Sequence, residues 1–411
     1  MSELVDFERP VPEDGAPTRA RQDVGLALMI WAASSLVALL GAAFGFDFLQ
    51  LAYGDVTASH ATLLDRLTAR DGKYYERIAE NGYSYTPGQQ SNVAFFPAYP
   101  LLARVVAAVG RTSIPIAMLI VSNACFLLAC VVLVRYARRR SYDPGRMLLL
   151  VAFVPAGLFF HVGYSESLFL LLAVLVLHGL NRRWPLEAVA LIAGAATATR
   201  APGVALAAPV IVEALRRHVG TPRSFWRAAV VCALSGWGLL AFMTYQHVAF
   251  GDALAFARTQ QQYFLRSPDP TQSKLAAYAL FEPIWSVYAP GSPAHWRRFG
   301  AQNPLFSLAF QNPLYFVAAM ALAAVGTRQR WLNRSELVYC WLGLLIPYFT
   351  RGFDMCMGSQ ARFSIVVFPL YFVVSRLLAR VGPIGLALIV AICAFLLGAF
   401  MGMFGAGYTF V

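Results

Sequence analysis

The sequence predicts an all-α polytopic membrane protein, and three observations carry that prediction. Of 411 residues, 58% are hydrophobic and only 13% are charged, against roughly 45–50% and about 25% in soluble domains. The apolar residues gather in runs long enough for helical spans. The net charge of +12 sits in short arginine clusters between those runs, the pattern expected when basic loops fix orientation in a bilayer. A soluble fold of this size could not hide so much apolar surface, so a disordered chain, a disulfide scaffold and an ordinary cytosolic enzyme are excluded. Nucleic acid is not an expected partner, because no basic face interleaved with aromatics occurs.

Taken in order, residues 1–23 are polar and mixed in charge and are expected to form a cytoplasmic tail. They lack the basic start, short apolar stretch and cleavage site of a signal peptide, so the first span is expected to remain in the mature protein. The rest, 24–411, reads as a single transmembrane domain. A span needs about 20 apolar residues, fewer where protein surrounds the helix. Spans are expected near 24–46, 114–134, 147–162, 164–181, 185–200, 203–216, 227–249, 305–326, 335–350, 361–379 and 382–405, about eleven in all. The stretch 95–110, with Pro97, Pro100 and Arg104, reads as re-entrant or interfacial.

Charge tests this assignment. Arg135, Arg138, Arg139, Arg140 and Arg146 share one loop. Arg182 and Arg183 share a second, Arg216, Arg217, Arg223 and Arg227 a third, and Arg328, Arg330 and Arg334 a fourth. With the N-terminus inside, all four are cytoplasmic; a full span at 95–110 would put them outside. The other side then receives two long aromatic-rich segments, 47–94 and 250–304, expected to lie along the headgroup layer. The six cysteines fall mostly in apolar runs, contain no CxxC pair and read as small core residues. Gly398, Gly402 and Gly405 read as a close helix contact.

Chemistry is expected where charge meets the external side. In Arg70–Tyr83, apolar Tyr74, Tyr75, Ile78, Ala79 and Gly82 recur at helical spacing opposite Lys73, Glu76, Arg77 and Glu80. This predicts a short amphipathic interfacial helix starting at Asp71 and ending at Gly82. Asp71 then reads either as an N-cap or as a base at the membrane surface. Phe95-Phe96-Pro97-Ala98-Tyr99-Pro100 reads as a kinked helix start or as the wall of a cleft for a lipid chain. In Tyr164-Ser165-Glu166-Ser167, Ser165 is a candidate N-cap, while Glu166 is a first-turn charge or a site carboxylate. Arg200 also reaches the external side, and Arg351, Asp354 and Arg362 surround another external turn. Each arginine alone would snorkel to headgroups, whereas together they would suit a phosphate. The sequence contains no GxxxxGKS/T loop, HExxH or GxSxG motif, and the scattered histidines read as structural.

Asp71-Gly72-x-Tyr74-Tyr75-x-x-Ile78-Ala79-x-x-Gly82-Tyr83 and Ala94-Phe95-Phe96-Pro97-x-Tyr99-Pro100-Leu101-Leu102 resemble the PIG-V-like mannosyltransferase family, membrane glycosyltransferases of the GT-C class. Pro155-Ala156 through Phe159-Phe160, Tyr164-Ser165-Glu166-Ser167-Leu168-Phe169, Thr199-Arg200, Gly251-Asp252-x-x-x-Phe256 and Gln360-x-Arg362-Phe363 resemble it in the same order. The resemblance implies a GT-C-like bundle and inverting transfer of a sugar, expected to be mannose. The implied donor is a polyprenyl- or dolichyl-phosphate sugar, the acceptor a glycan or glycolipid, and the site lies on the non-cytoplasmic face. It also implies an essential aspartate in the first external loop, matched by Asp71. A lipid phosphate leaves readily, whereas the attacking hydroxyl needs a base. Asp71 is therefore the expected base, Arg200 and Arg362 the phosphate ligands and Glu166 an acceptor-orienting group. Arg351, Tyr74 and Tyr164 are further substrate-binding candidates. No cofactor or metal is expected to be required, although a second carboxylate would suit a divalent cation. A bacterial inner membrane, with the site facing the periplasm, is expected from the compact loops and arginine bias. The competing reading is a transporter or flippase of a lipid-linked saccharide. Such proteins place ionisable groups at the midplane and show inverted repeats, and neither feature is evident here.

Overall fold

The computed structural model describes residues 16–53, 62–218, 222–266, 274–299 and 303–407, and among them every regular element is helical. Residues 1–15 of the expected tail lie outside the described residues, as do 54–61, 267–273 and 300–302 of the two long segments. Helix α1 (Ala16–Tyr53) is followed by α2 (Leu63–Leu67), α3 (Asp71–Asn81), α4 (Ala98–Gly110) and α5 (Ile114–Arg139). Next come α6 (Pro144–Ala152), α7 (Glu166–Asn181), α8 (Leu186–Thr197) and α9 (Val204–His218). They lead to α10 (Pro222–Ser235), α11 (Trp237–Phe250), α12 (Ala255–Gln260), α13 (Lys274–Ala279) and α14 (Glu282–Trp285). The chain ends with α15 (Leu308–Arg328), α16 (Arg334–Pro347), α17 (Gln360–Ser364), α18 (Pro369–Leu377) and α19 (Pro383–Gly405).

Among the described residues, four helices are long and apolar enough to cross a membrane unaided: α1 over Thr18–Gly45, α5, α15 and α19. The pair Phe225–Ser235 and Trp237–Phe250 passes the same test together, bent by 61°. The remaining expected spans appear as shorter or interrupted helices. The stretch 147–162 divides because Pro155 cannot continue α6, and a 3₁₀ turn over Pro155–Phe160 replaces it. Likewise Pro369 separates α17 from α18. Such breaks are tolerated at membrane depth where protein, not lipid, surrounds the backbone. Phe159, Phe160, Val162 and Tyr164 are indeed buried.

The basic loops meet at one end of the bundle. Arg138 Nε bonds Asp23 of α1 at 2.6 Å, and Arg140 Nε bonds Glu336 of α16 at 2.9 Å. Arg139 Nε reaches Asn181 Oδ1 at the end of α7, while Arg146 Nη1 reaches the Leu378 carbonyl after α18. Helix α4 does not reach that end. Near its start, the Tyr99 hydroxyl bonds the Met118 carbonyl and Ser122 Oγ, each at 2.9 Å, and its last turn runs directly into α5. Both ends of α4 therefore lie beside the first part of α5, away from the basic loops.

Helices α1 and α19 touch backbone to backbone. A Cβ on Gly41 would come within 2.3 Å of the Gly398 carbonyl oxygen, and one on Gly45 within 2.4 Å of the Gly402 Cα. Small residues at such a crossing let dispersion contacts form between main chains. Gly45→Ala should therefore lower stability by about 1–3 kcal/mol through overpacking, read as a fall in thermal unfolding midpoint in detergent. Gly25→Ala, on the same helix with no atom within 4 Å of the added carbon, should not lower it.

Candidate active site

The site assembles at the end of the bundle opposite the basic loops. Helix α3 forms as its pattern predicts, with Gly72, Tyr75, Ile78 and Ala79 buried and Gly82, at φ 80°, closing it through an N–H bond to the Ile78 carbonyl. The apolar face packs on protein rather than lipid: the Tyr75 ring meets Tyr99 edge-on at 5.0 Å and its hydroxyl lies 3.0 Å from Ser165 Oγ. Asp71 is the first helical residue and not the N-cap. That place belongs to Arg70, whose side chain makes no capping bond. The Asp71 carboxylate is thus turned to another partner, while the first turn still favours its charge.

That partner is Arg362, whose Nη1 bonds Asp71 Oδ2 at 2.5 Å. Its Nε bonds Glu166 Oε1, the oxygen that also takes Arg200 Nη1 at 2.5 Å. The Tyr164 ring lies 4.6 Å from the Arg362 guanidinium, and its hydroxyl accepts the Asp71 backbone N–H at 3.2 Å. Arg351 completes the cluster. It and Arg200 flank the Phe363 ring, at 5.9 and 5.1 Å. Its Nε is buried with no hydrogen-bond partner among the described residues. Three guanidiniums thus meet two carboxylates, leaving one positive charge uncompensated.

Local structure fixes these positions. Ser165 stands at the N-cap of α7, but its side chain goes to Tyr75, leaving Glu166 in the first turn, fully buried. Arg362 rides on α17, which is held where Asn312 Oδ1 of α15 accepts the Ala361 N–H at 2.9 Å. The preceding turn carries Cys356, Met357 and Ser359 at positive φ, conformations costing of order 1–3 kcal/mol each.

A cavity of about 750 Å³ opens beside the cluster, lined by Asp71, Tyr164, Arg200, Arg351 and Arg362. Phe95, Phe96, Phe256 and Phe264 supply an apolar wall. The Asp71 side chain is 33% exposed, against 11% for Arg362, 9% for Arg200 and 0% for Glu166. Glu166 does not line the cavity. The expectation that it orients an acceptor gives way to a different geometry, in which it anchors two arginines from beneath. Tyr74 also stands off the cavity, stacked on Phe95 at 4.6 Å and edge-on to Tyr263 at 6.1 Å. Burial, together with the adjacent Tyr74 hydroxyl, holds Tyr263 well above the usual tyrosine range.

Sequence reasoning missed several lining residues. Arg70 lines the cavity and bonds the Gly407 carbonyl at 2.5 Å; its adjacency to Asp71 was the available signal. Lys274, paired with buried Asp354 at 2.8 Å, and Gln260 come from the second long segment, where nothing local marks them. That segment is docked by Arg266, which bonds both oxygens of Glu282 and lies 4.0 Å over the Phe353 ring. Among the described residues, no three His, Cys, Asp or Glu side chains are grouped to hold a metal ion. The space between Asp71 and Glu166 is already filled by the Arg362 guanidinium.

Fold and site together define an all-helical polytopic membrane protein with a charged cavity at one end of its bundle. The chain belongs to the Mannosyltransferase (PIG-V) family, whose model matches residues 41–246. That match contains Asp71, Tyr164, Glu166 and Arg200, while Arg351 and Arg362 lie beyond it. GPI mannosyltransferase 2 of Drosophila pseudoobscura pseudoobscura is 33% identical over 111 residues, covering 24% of each chain. The matched stretch is thus about a quarter of that relative. The apo oligosaccharyltransferase of Archaeoglobus fulgidus superposes with a TM-score of 0.45 at 15% identity, covering 93% of this chain and 56% of that one. The same archaeal enzyme bound to an inhibitory peptide and a dolichol-phosphate gives 0.43 at 16% identity, with coverages of 93% and 56%.

Glu166 is the stabilising centre of the cluster, and its removal would strand two buried cations. Glu166→Gln should cost about 3–5 kcal/mol, measured as a loss of thermal stability. Adding Arg200→Gln should recover part of that loss, a coupling that independent sites would not show.

Proposed function

We propose that the chain transfers a sugar, mannose by family, from a polyprenyl- or dolichyl-phosphate donor to a glycan or glycolipid hydroxyl in the cavity beside Asp71. The observation that carries this reading is one accessible carboxylate set among three arginines, one of them, Arg351, with a buried Nε that has no hydrogen-bond partner among the described residues. A GT-C-type reaction needs those two elements. The acceptor hydroxyl attacks the anomeric carbon as the bond from that carbon to the phosphate oxygen breaks. Asp71 takes the hydroxyl proton, and the departing lipid phosphate keeps the electron pair, its charge met by Arg351, Arg200 and Arg362. With base and phosphate on opposite sides of the anomeric carbon, the displacement inverts configuration.

The Asp71–Arg362 pair gives the proposed site an order of events. Before donor binds, Arg362 occupies an oxygen of the base. A phosphate entering the cluster competes for the guanidinium and releases Asp71 toward the acceptor. The phenylalanine wall suits the first isoprene units. Cationic stabilisation already comes from guanidinium groups, so the proposed reaction proceeds without a metal. The basic loops at the far end support a cytoplasmic placement for that end and a non-cytoplasmic site; the bacterial inner membrane remains the proposed location.

The test is purified protein with polyprenyl-phosphate sugars and a panel of acceptors. Asp71→Asn should lower transfer by about 10²–10⁴-fold while donor binding persists. Arg351→Gln should instead raise the donor KM about tenfold or more, the loss of one charge-assisted phosphate bond. Chelation with EDTA should leave the rate unchanged. Undiminished transfer by Asp71→Asn would remove the mechanism, and donor crossing vesicles without glycoside formation would replace the enzyme with a flippase.

A further inference from the structure

Helix α16 reaches Pro347 and then opens into a π-helical turn, Tyr348–Gly352. Such turns are rare, often stand at functional sites, and widen the backbone ladder by one residue. The widening disturbs the usual pairing of carbonyls and amides, which must find other partners where water is excluded. One side chain from the second long segment meets that need. The Tyr278 hydroxyl of α13 lies 3.1 Å from the Tyr348 carbonyl and 3.0 Å from the Phe349 carbonyl, and it accepts the Phe353 N–H at 3.3 Å. A hydroxyl has one proton and two lone pairs, so this group serves backbone on both sides of Arg351. Its ring stands edge-on to Tyr348 and Phe349, each at 5.2 Å. The same segment also grips Asp354, whose carbonyl accepts the Leu265 and Arg266 N–H groups at 3.0 and 3.2 Å and whose carboxylate pairs with Lys274.

Arg351 leaves this turn for the cavity beside Asp71. The other two arginines of the cluster are fixed through their side chains, both bonded to Glu166. The Arg351 guanidinium instead lies 5.9 Å from the Phe363 ring, and its buried Nε has no hydrogen-bond partner among the described residues. Its aim is therefore set chiefly by the backbone that carries it. We infer that Tyr278 is a positioning residue for Arg351: its hydroxyl holds the π-helical turn in the form that points the guanidinium at the donor phosphate. The inference rests on the proposed role of Arg351 as a phosphate ligand. Tyr278 does not line the cavity, so it acts through the turn and not on substrate. One residue of helical winding rotates a side chain by about 100°, so a turn that relaxes toward the α form redirects Arg351. Docking of α13 is thereby coupled to phosphate binding.

The test assays full-length purified protein with polyprenyl-phosphate sugar, comparing wild type with Tyr278→Phe, Arg351→Gln, the double variant and Tyr288→Phe. Tyr278→Phe keeps the ring and removes only the hydroxyl. Tyr288→Phe is the control, removing a hydroxyl of the same segment that bonds the Phe310 carbonyl at 2.9 Å. Tyr278→Phe should raise the donor KM about three- to tenfold, the loss of one net hydrogen bond, with kcat within about twofold of wild type. It should add nothing to Arg351→Gln, since the residue it positions is gone, and Tyr288→Phe should keep the wild-type KM. Amide hydrogen exchange across 348–354, followed by mass spectrometry, should quicken in Tyr278→Phe and not in Tyr288→Phe. A wild-type KM in Tyr278→Phe beside a raised KM in Arg351→Gln overturns this inference and leaves the phosphate role of Arg351 standing. So does an equal rise in both backgrounds, an equal rise in Tyr288→Phe, or unchanged exchange in Tyr278→Phe. A wild-type KM in Arg351→Gln overturns the phosphate role itself, and the inference falls with it.

Discussion

The structure of the site depends on one guanidinium. Arg362 joins a carboxylate from the first long segment, Asp71, to a buried carboxylate from the start of α7, Glu166. Without it, Glu166 would share its buried environment with Arg200 alone, and Asp71 would lose the contact that ties α3 to α17. A carboxylate with no exposed surface is tenable only when paired and hydrogen-bonded, so Glu166 requires both arginines as much as they require it. The mutual dependence draws together three parts of the chain that share no local pattern. It also explains why the cluster sits on short elements. A five-residue helix and a first helical turn can be placed by their side-chain partners, whereas a long span cannot.

The interrupted helices are the backbone counterpart of this arrangement. Long regular spans would carry Arg362 and Glu166 at whatever height and rotation their pitch dictated. Breaking them at Pro155 and Pro369 frees the intervening segments to turn inward, and burial among α5, α15 and α16 removes the penalty lipid would impose on irregular backbone. The run of left-handed residues at Cys356, Met357 and Ser359 is strain held by the same packing. Asn312 secures the end of that turn through the Ala361 N–H. Long helices such as α1 and α19 form the frame, and the strained turn before α17 positions Arg362 in the charged cluster.

Much of this was legible in the sequence wherever a local signal existed. The 3.6-residue spacing of Tyr75, Ile78 and Ala79 predicted α3, and Gly82 predicted its end. Ser165 correctly marked the start of α7, and the glycines of α19 marked a close contact. What stayed hidden was pairing. Nothing near Asp71 reveals that Arg362 rather than its own helix will take its carboxylate. Nor does anything near Glu166 distinguish a residue that meets solvent from one buried under two arginines. The count of about eleven spans rested on hydropathy, which measures apolar character but not whether lipid or protein surrounds a segment. The short helix α8, and α17 and α18 taken together, read as spans on that scale because apolar character alone does not show where a helix breaks.

The two charged ends show why composition alone cannot assign function to arginine. Both carry clusters of the same residue type, and hydropathy treats them alike. At the basic end the carboxylates Asp23, Glu187, Glu213 and Glu336 sit within one or two turns of helix ends, each beside an arginine that itself lies at or near a helix end. At the other end Glu166 is held beneath two arginines, and the buried Nε of a third, Arg351, has no hydrogen-bond partner among the described residues. Desolvating a cation without a partner is expensive, so a fold retains one only where something else balances the cost. A phosphate arriving in the cavity would supply the missing charge in a low-dielectric setting, where the interaction is strongest. The imbalance of charge, rather than the number of arginines, is what separates a site from a loop.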